Sequence, residues 1–391
     1  LIGENVLNKR ILATATLAAL AGTAHAQSSV TLYGLIDAGV SYVNHSKTAT
    51  GSGKLFKYDD GVAQGSRWGL RGSEDLGDGL KAIFVLENGF SSGNGTAAQG
   101  GAMFGRQAYV GLSKDQVGSL TFGRQYSFST DYLSNYSTGG LTVAGNYGYH
   151  LNDLDQLTTS RINNSVKFTS ANFAGFTFGA LYGFSNQAGA FAGAAGTGAT
   201  PTGGSSRAYS FGANYAAGPI GLGAAYTDIR FPGQSTPSIA TALANFTLPG
   251  QIRDLRTFGI GGRYLFGPAT LWALYTNTRL QAVTSGSTTY SAYEAGGKYA
   301  FTPALTGSLG YTYTKLSNAF SGHWNQIDAS VDYALSKRTD VYVLGIYQKA
   351  SGNNGGVPLQ AQIGDSTSYF NTSGTGTTSQ VAARVGIRHK F

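Results

Sequence analysis

Cysteine is absent from this 391-residue chain. With it go thiol nucleophiles, thiolate metal sites and any disulfide framework. Charge is scarce as well: Asp, Glu, Lys and Arg make up 12% of the residues, about half the share usual in soluble domains. Beyond the N-terminal region no apolar run reaches the roughly 18 residues that a transmembrane helix needs. The H-E-x-x-H and G-x-S-x-G patterns are missing, which removes the signatures of zinc proteases and serine hydrolases. Five histidines (25, 45, 150, 323 and 389) show no ligand spacing, so neither a metal nor a cofactor is expected. TGSGKL (Thr50–Leu55) is a poor phosphate loop, because its first glycine is misplaced and Leu55 stands where Ser or Thr would hold magnesium. It reads as a flexible external linker.

What is present is glycine, 58 residues, roughly twice the usual frequency. Aromatics reach 12%, with 24 Tyr and 21 Phe, at a mean hydropathy of −0.10. Few charges and many aromatics suit a membrane protein. Only helices and closed barrels satisfy their backbone hydrogen bonds in lipid, so a membrane protein without spanning helices must be a β-barrel. On composition alone, a secreted glycine-rich all-β protein is the alternative.

The N-terminus reads as a cleaved secretory leader. Lys9 and Arg10 form a basic start, Ile11–Ala21 a short apolar core, and Ala24-His25-Ala26 a small-x-small cleavage site. Residues 1–26 are therefore expected to be removed, leaving residues 27–391 as one domain. The net charge of +8 becomes +7 once Glu4, Lys9 and Arg10 are gone.

From Gln27 onward the chain alternates with period two. Val30, Leu32, Ile36, Ala38, Val40 and Tyr42 share one face, and Thr31, Asp37, Gly39 and Ser41 the other. The same holds for Phe176, Phe178, Ala180, Tyr182 and Phe184, and for Phe258, Ile260 and Tyr264. At the C-terminus, Val381, Ala383, Val385, Ile387 and Phe391 oppose Arg384, Arg388 and Lys390. The second face is small, polar or charged throughout, as expected with lipid on one side and water on the other. Sixteen such segments begin near 29, 65, 79, 103, 118, 161, 175, 207, 219, 255, 269, 290, 304, 324, 339 and 379. Short turns such as EDLGD (Glu74–Asp78) and LSKR (Leu335–Arg338) alternate with long Gly-, Ser- and Thr-rich loops. The longest lies between 128 and 160, where an inward fold would narrow a pore; a loop left outside is the alternative.

A diffusion pore performs no bond chemistry, and its selectivity comes from width and wall charge. On the inward register lie Arg67 and Arg71, opposite Trp68 and Leu70; Lys81 and Glu87, opposite Leu80, Phe84 and Leu86; and Arg161 and Lys167, opposite Ile162, Val166 and Phe168. The positive residues are dispersed along strands rather than gathered in one patch, which argues against nucleic acid as a partner.

QSSVTLYGLIDAGVSYV, SRWGLRGSEDLGDGLKAIFVLENGF, FGRQAYVGL, GSLTFGRQ, LSKRTDVYV and VGIRHKF together resemble the trimeric general porins of Gram-negative outer membranes, above all their β-proteobacterial branch. The resemblance runs from Gln27 to Phe391. It implies a 16-stranded antiparallel barrel, a homotrimer and a third external loop folded into the lumen. It also implies as partners outer-membrane lipid and lipopolysaccharide, the barrel-assembly machinery, and small ions and hydrophilic solutes. Phe391 would belong to the signal that the assembly machinery reads.

By motif, the family's arginine ladder falls on Arg67, Arg106 and Arg161, facing a loop carboxylate for which Asp131 is the best candidate, with Asp153 and Asp155 nearby. Each arginine could equally be paired to a neighbouring acid. The Pro-Glu-Phe-Gly-Gly stretch of enterobacterial relatives is absent, so the negative side is thin and anion preference is expected. FGRQ occurs twice, at 104–107 and 122–125. Arg124 shares an outward face with Leu120 and Phe122, and the resemblance assigns it to the trimer contact. Periodicity leaves the side of Arg106 open; the resemblance puts it in the pore. A substrate-selective channel, and a barrel serving adhesion or enzymatic work, are the competing readings.

Overall fold

A computed structural model describes residues 29–194, 206–231, 252–365 and 376–391; the expected leader lies outside them. Most of the described chain is strand, with short helical turns only at Ala98–Gly101 and between Ser129 and Asp153. In order come β1 (Ser29–Thr48), β2 (Gly51–Asp60), β3 (Arg67–Gly77), β4 (Leu80–Gly89), β5 (Gln107–Lys114), β6 (Gly118–Tyr126), β7 (Arg161–Ser170), β8 (Phe176–Gly183), β9 (Arg207–Ala217) and β10 (Ile220–Arg230). There follow β11 (Ile252–Phe266), β12 (Ala269–Ala282), β13 (Ser287–Ala300), β14 (Leu305–Asn318), β15 (Gly322–Ala334), β16 (Thr339–Ser351), the two-residue β17 (Asn353–Asn354) and β18 (Val357–Pro358), and β19 (Ser379–Lys390). Apart from the β17–β18 hairpin, each strand pairs antiparallel with its neighbours, and β19 returns to β1 from Leu35↔Lys390 to Val43↔Ala382. The sheet is therefore closed and has no edge to expose.

Closure has sixteen positions because β2 and β3 share one of them. The lower half of β1 pairs with β3, and its upper half with β2. The sequence reading missed β2 and took TGSGKL for a linker. Gly51–Leu55 in fact open that strand, and Phe56 and Tyr58 on its outer face are 72% and 54% exposed. Residues 61–66 interrupt the position because their carbonyls serve the third loop: Asn146 N donates to Val62 O (2.7 Å) and Asn146 Nδ2 to Gly61 O (2.8 Å). Gly145, at φ +50°, makes that approach possible, since a Cβ there would lie 2.0 Å from Val62 O.

The alternation holds where it was read. Val40 and Val385 are about 60% exposed on the outside, whereas Asp37 and Ser41 are buried on the inside. Aromatics gather in two outer belts. Tyr209, Tyr226, Phe258, Tyr275 and Tyr293 lie toward the long loops; Tyr264, Phe266, Tyr299, Phe301 and Tyr333 lie toward the short turns. Phe258 and Phe266 are eight residues apart on β11, about 26 Å of strand and roughly 20 Å of height after tilting, close to the apolar band of such barrels. Phe391 continues the sheet. Its N–H and carbonyl exchange 3.0 Å bonds with Gly34, and its ring covers that glycine, where a Cβ would come within 2.4 Å.

The loop between β6 and β7 folds inward. Its apolar side chains Phe128, Leu133, Leu151, Leu154 and Leu157 pack against Leu181, Ile229, Leu255, Leu274 and Leu280 of the inner wall. The inner face of β8–β12 is thus partly apolar, which an inward-polar reading did not anticipate. Ile162 departs likewise. A register irregularity between Gly123 and Gln125, with Asn164 at φ +52°, turns Ile162 inward onto Gly183 instead of toward lipid.

Candidate pore constriction

Among the described residues, the folded loop leaves a large open passage, a cavity of about 1190 Å³. One wall carries Arg67, Arg106, Tyr126 and Arg161. The facing surface is Thr130, Asp131, Ser134, Asn135 and residues 139–143 of the loop.

The arginine wall is organised around a single acid. Glu87, buried on β4, receives Arg106 Nε at 2.7 Å and Tyr33 Oη at 3.0 Å, with Arg67 Nε 3.8 Å away. Two guanidinium groups therefore share one carboxylate and leave a net positive charge. Guanidinium stays ionised under any ordinary condition. Arg161 stands on the same wall, donating to Tyr126 Oη at 3.1 Å and lying over that ring at 4.9 Å. All three arginines expected of a ladder line this cavity, and two of them match the alternative of acid pairing: Arg67 and Arg106 are paired to Glu87, yet in excess over that partner.

The position of Arg106 explains why periodicity left its side open. It lies in the bend before β5, so strand alternation does not govern it. Its backbone N–H donates to Glu87 O at 3.2 Å, and its side chain passes over Gly65 and Gly89 into the lumen. Arg124, from the second FGRQ, is held within its own chain by Gly105 O at 2.8 Å and by Asn163 Oδ1.

The acidic side differs from expectation. Asp131 does not confront the arginines as an unpaired carboxylate; it forms an ion pair with Lys167, whose ammonium also caps Tyr126 O at 2.9 Å and the Phe128 ring. Asp153 and Asp155 turn away from water altogether. Asp153 accepts from the Thr158 and Thr159 backbone, at 3.0 and 2.7 Å. Burial and the neighbouring Asp155 charge push its carboxyl up to about 7, against the pull of the threonine hydrogen bonds. Asp155 pairs with His150 and accepts from Thr276 at 2.7 Å.

Other expected lumen charges separate. Arg71 is exposed on the inner face, 5.4 Å over the Tyr33 ring. Lys81 lies 3.8 Å from Asp115 of a short turn, which places it at the mouth rather than the waist. Arg384 adds no charge to the water: it is buried and bound by Asp37 at 3.3 Å, Tyr342 and Ser41. Arg388 lines the cavity but pairs with Asp340 at 3.0 Å.

The sequence reading passed over Lys57 and Lys298 on the cavity wall, and the anchor behind the loop. Lys298 Nζ donates to Leu141 O at 2.8 Å. Buried Glu294 receives Thr138 Oγ1 at 2.8 Å, Trp272 Nε1 at 2.9 Å, His150 Nε2 at 2.8 Å and the Thr138 N–H. Burial by itself would lower the His150 pKa, but the Asp155 and Glu294 carboxylates on its two ring nitrogens outweigh that and hold it well above the usual imidazole range. A lone acid and a lone histidine in apolar segments were the available signals.

A family model described as Gram-negative porin matches residues 13–355. The chain belongs to that family. An outer membrane porin protein of Bordetella pertussis is 44% identical over 190 residues, 46% of this chain and 49% of that protein. Outer membrane porin protein 32 of Delftia acidovorans is 37% identical over 185 residues, covering 46% and 51%. The chain thus spans about half the length of these two curated relatives. The anion-selective porin from Comamonas acidovorans superposes with a TM-score of 0.73 at 26% identity, covering 93% of this chain and all of that one. A closed barrel of this Gram-negative family belongs in the bacterial outer membrane.

Proposed function

We propose that this porin is a water-filled diffusion channel for small hydrophilic solutes and ions, with a preference for anions. One observation carries the reading: Arg67 and Arg106 share the single carboxylate of Glu87, Arg161 stands beside them, and Asp131 across the passage is neutralised by Lys167. An anion at the waist meets surplus positive charge, and a cation meets no unpaired acid on the loop. Selectivity of this kind needs only width and fixed charge. The anion-selective porin from Comamonas acidovorans, similar over its whole length, supports it. The working unit is a homotrimer with Arg124 near the subunit contact, and Phe391 at the barrel seam is the group offered to the assembly machinery.

The test is the zero-current potential of the purified protein in a planar bilayer under a salt gradient. An anion-selective sign, with large ohmic openings in steps of three, is expected. A cation-selective sign would overturn the selectivity, and absence of conductance the channel itself.

A further inference from the structure

The loop between β4 and β5 also reaches the waist. Residues 90–106 are pinned at both ends: Phe90 N–H donates to Ser66 O at 3.1 Å and Ser91 N–H to Thr96 O at 2.9 Å, while Asn88 Nδ2 donates to Ala102 O at 3.4 Å and Met103 O at 2.5 Å. Between these anchors the backbone turns left-handed over Gln99, Gly100 and Gly101, at φ +52°, +74° and +84°. Glycine adopts that conformation freely. Gln99 has a Cβ and adopts it against a steric cost. Backbone strain of this kind, imposed by fixed flanks, gathers at functional sites.

The strained turn places the Gln99 side chain beside Arg106. A Cβ on Gly89 would lie 2.3 Å from Gln99 Oε1 and 3.2 Å from Arg106 Cδ, so the two side chains cross the same glycine. A Cβ on Gly105 would lie 2.6 Å from the Gln99 Cβ. Glycine at both positions leaves the room that the glutamine takes. Gln99 lines the passage together with Arg67 and Arg106, yet its Oε1 is buried and has no hydrogen-bond partner among the described residues. A buried amide oxygen without a donor is unfavourable by itself. Beside two guanidinium groups that share one carboxylate, its dipole meets surplus positive charge. The side chains of Arg106 and Glu87 are only 13% and 6% exposed, so the pair that Gln99 adjoins is nearly closed to water.

We propose that Gln99 is a positioning residue for Arg106 and, through it, a determinant of anion preference. Its side chain holds the Arg106 stem against Gly89 and keeps bulk water off the Arg106–Glu87 pair. The guanidinium thus stays at a fixed place on the wall, in a poorly screened setting where its charge acts more strongly than it would in water. The inference rests on the channel reading and deepens it. The waist takes a part from the loop between β4 and β5 as well as from the one between β6 and β7.

The test uses the full-length protein in planar bilayers, reading single-channel conductance and the zero-current potential in a potassium chloride gradient. Gln99→Gly keeps the left-handed turn without strain, so the barrel should still assemble, and it removes only the side chain. Water then reaches the pair: conductance should rise, and the anion-to-cation permeability ratio should fall roughly twofold or more. Gln99→Glu sets a carboxylate beside Arg106 and should lower the ratio several-fold, up to about tenfold. In an Arg106→Gln background, Gln99→Gly should shift the ratio no further, because its effect passes through that arginine. A wild-type ratio in Gln99→Gly overturns the proposal, since a residue serving only the backbone of its turn would relieve strain and leave the potential unmoved. So does an unchanged ratio in Gln99→Glu, or an equal shift with and without Arg106. A wild-type protein that conducts while these variants match it strikes this inference alone. A wild-type protein without conductance strikes the channel reading, and this inference with it.

Discussion

Glu294 is the residue on which the shape of the waist depends most. Its carboxylate joins the loop at Thr138 and His150 to the wall at Trp272, with its side chain fully buried. In Glu294→Gln one oxygen remains and can still accept from Thr138 and Trp272. The new amide N–H₂ then faces His150, whose ring is held protonated and donates from both nitrogens. A buried ion pair is thereby replaced by a donor facing a donor. Removing one partner of such a pair costs about 3–5 kcal/mol, and 1.4 kcal/mol is a factor of ten. The docked state of residues 138–150 should weaken by roughly two to four orders of magnitude. The loop as a whole stays inside, because Lys298 still holds Leu141, Gln156 still bonds Thr257 at 3.0 Å, and the apolar contacts remain. Loosening is confined to the tip, so the barrel itself should stay folded while single-channel records show more open-state noise and frequent partial closures. Records indistinguishable from wild type would refute the view that this acid positions the loop.

Arg106→Gln leaves Glu87 with Arg67 and Tyr33 and lowers the charge of the waist by one. At about 6 Å in water a unit charge contributes roughly 0.7 kcal/mol, with opposite sign for anions and cations. The anion-to-cation permeability ratio should fall several-fold, up to about tenfold before screening, read from the reversal potential. Asp131→Asn frees the Lys167 ammonium and should raise the same ratio. Alkaline pH should loosen the loop. Asp153, raised to about 7 by burial and Asp155, favours docking when protonated and loses that contribution as pH climbs from about 4 through 7. Asp365, raised by burial and by Asp153, acts in the same sense. The raised His150 contributes below the ordinary imidazole range and is lost only above it. Open-channel noise should therefore be greater at pH 9 than at pH 6. Gly34→Val drives a side chain into the Phe391 ring and should slow barrel assembly in vitro, while Phe391→Tyr should leave the rate nearly unchanged.

Much of this porin was legible in local pattern. Period-two alternation reports which face meets lipid, residue by residue, and it located the sixteen crossings and the long connection between 128 and 160, whose inward fold only the family resemblance implied. It failed where the chain departs from regular pairing. Arg106 precedes its strand, Ile162 follows an irregularity, and β2 hides in a glycine-rich stretch whose alternation only its pairing with β1 makes plain. The charges show the same division. That Arg67, Arg161, Lys167 and Arg384 point inward follows from the pattern. That Lys167 cancels Asp131, that Arg384 is sealed against Asp37, and that one Glu87 serves two arginines does not. Alternation sets a side chain's face through the geometry of its own strand. Which charge it meets there depends on contacts tens to hundreds of residues away, and on a loop path set by buried Glu294, His150 and an apolar seam. Class, compartment and the sidedness of the wall belong to the sequence. The net charge at the waist belongs to the folded chain, because it is a difference between pairs that only tertiary structure brings together.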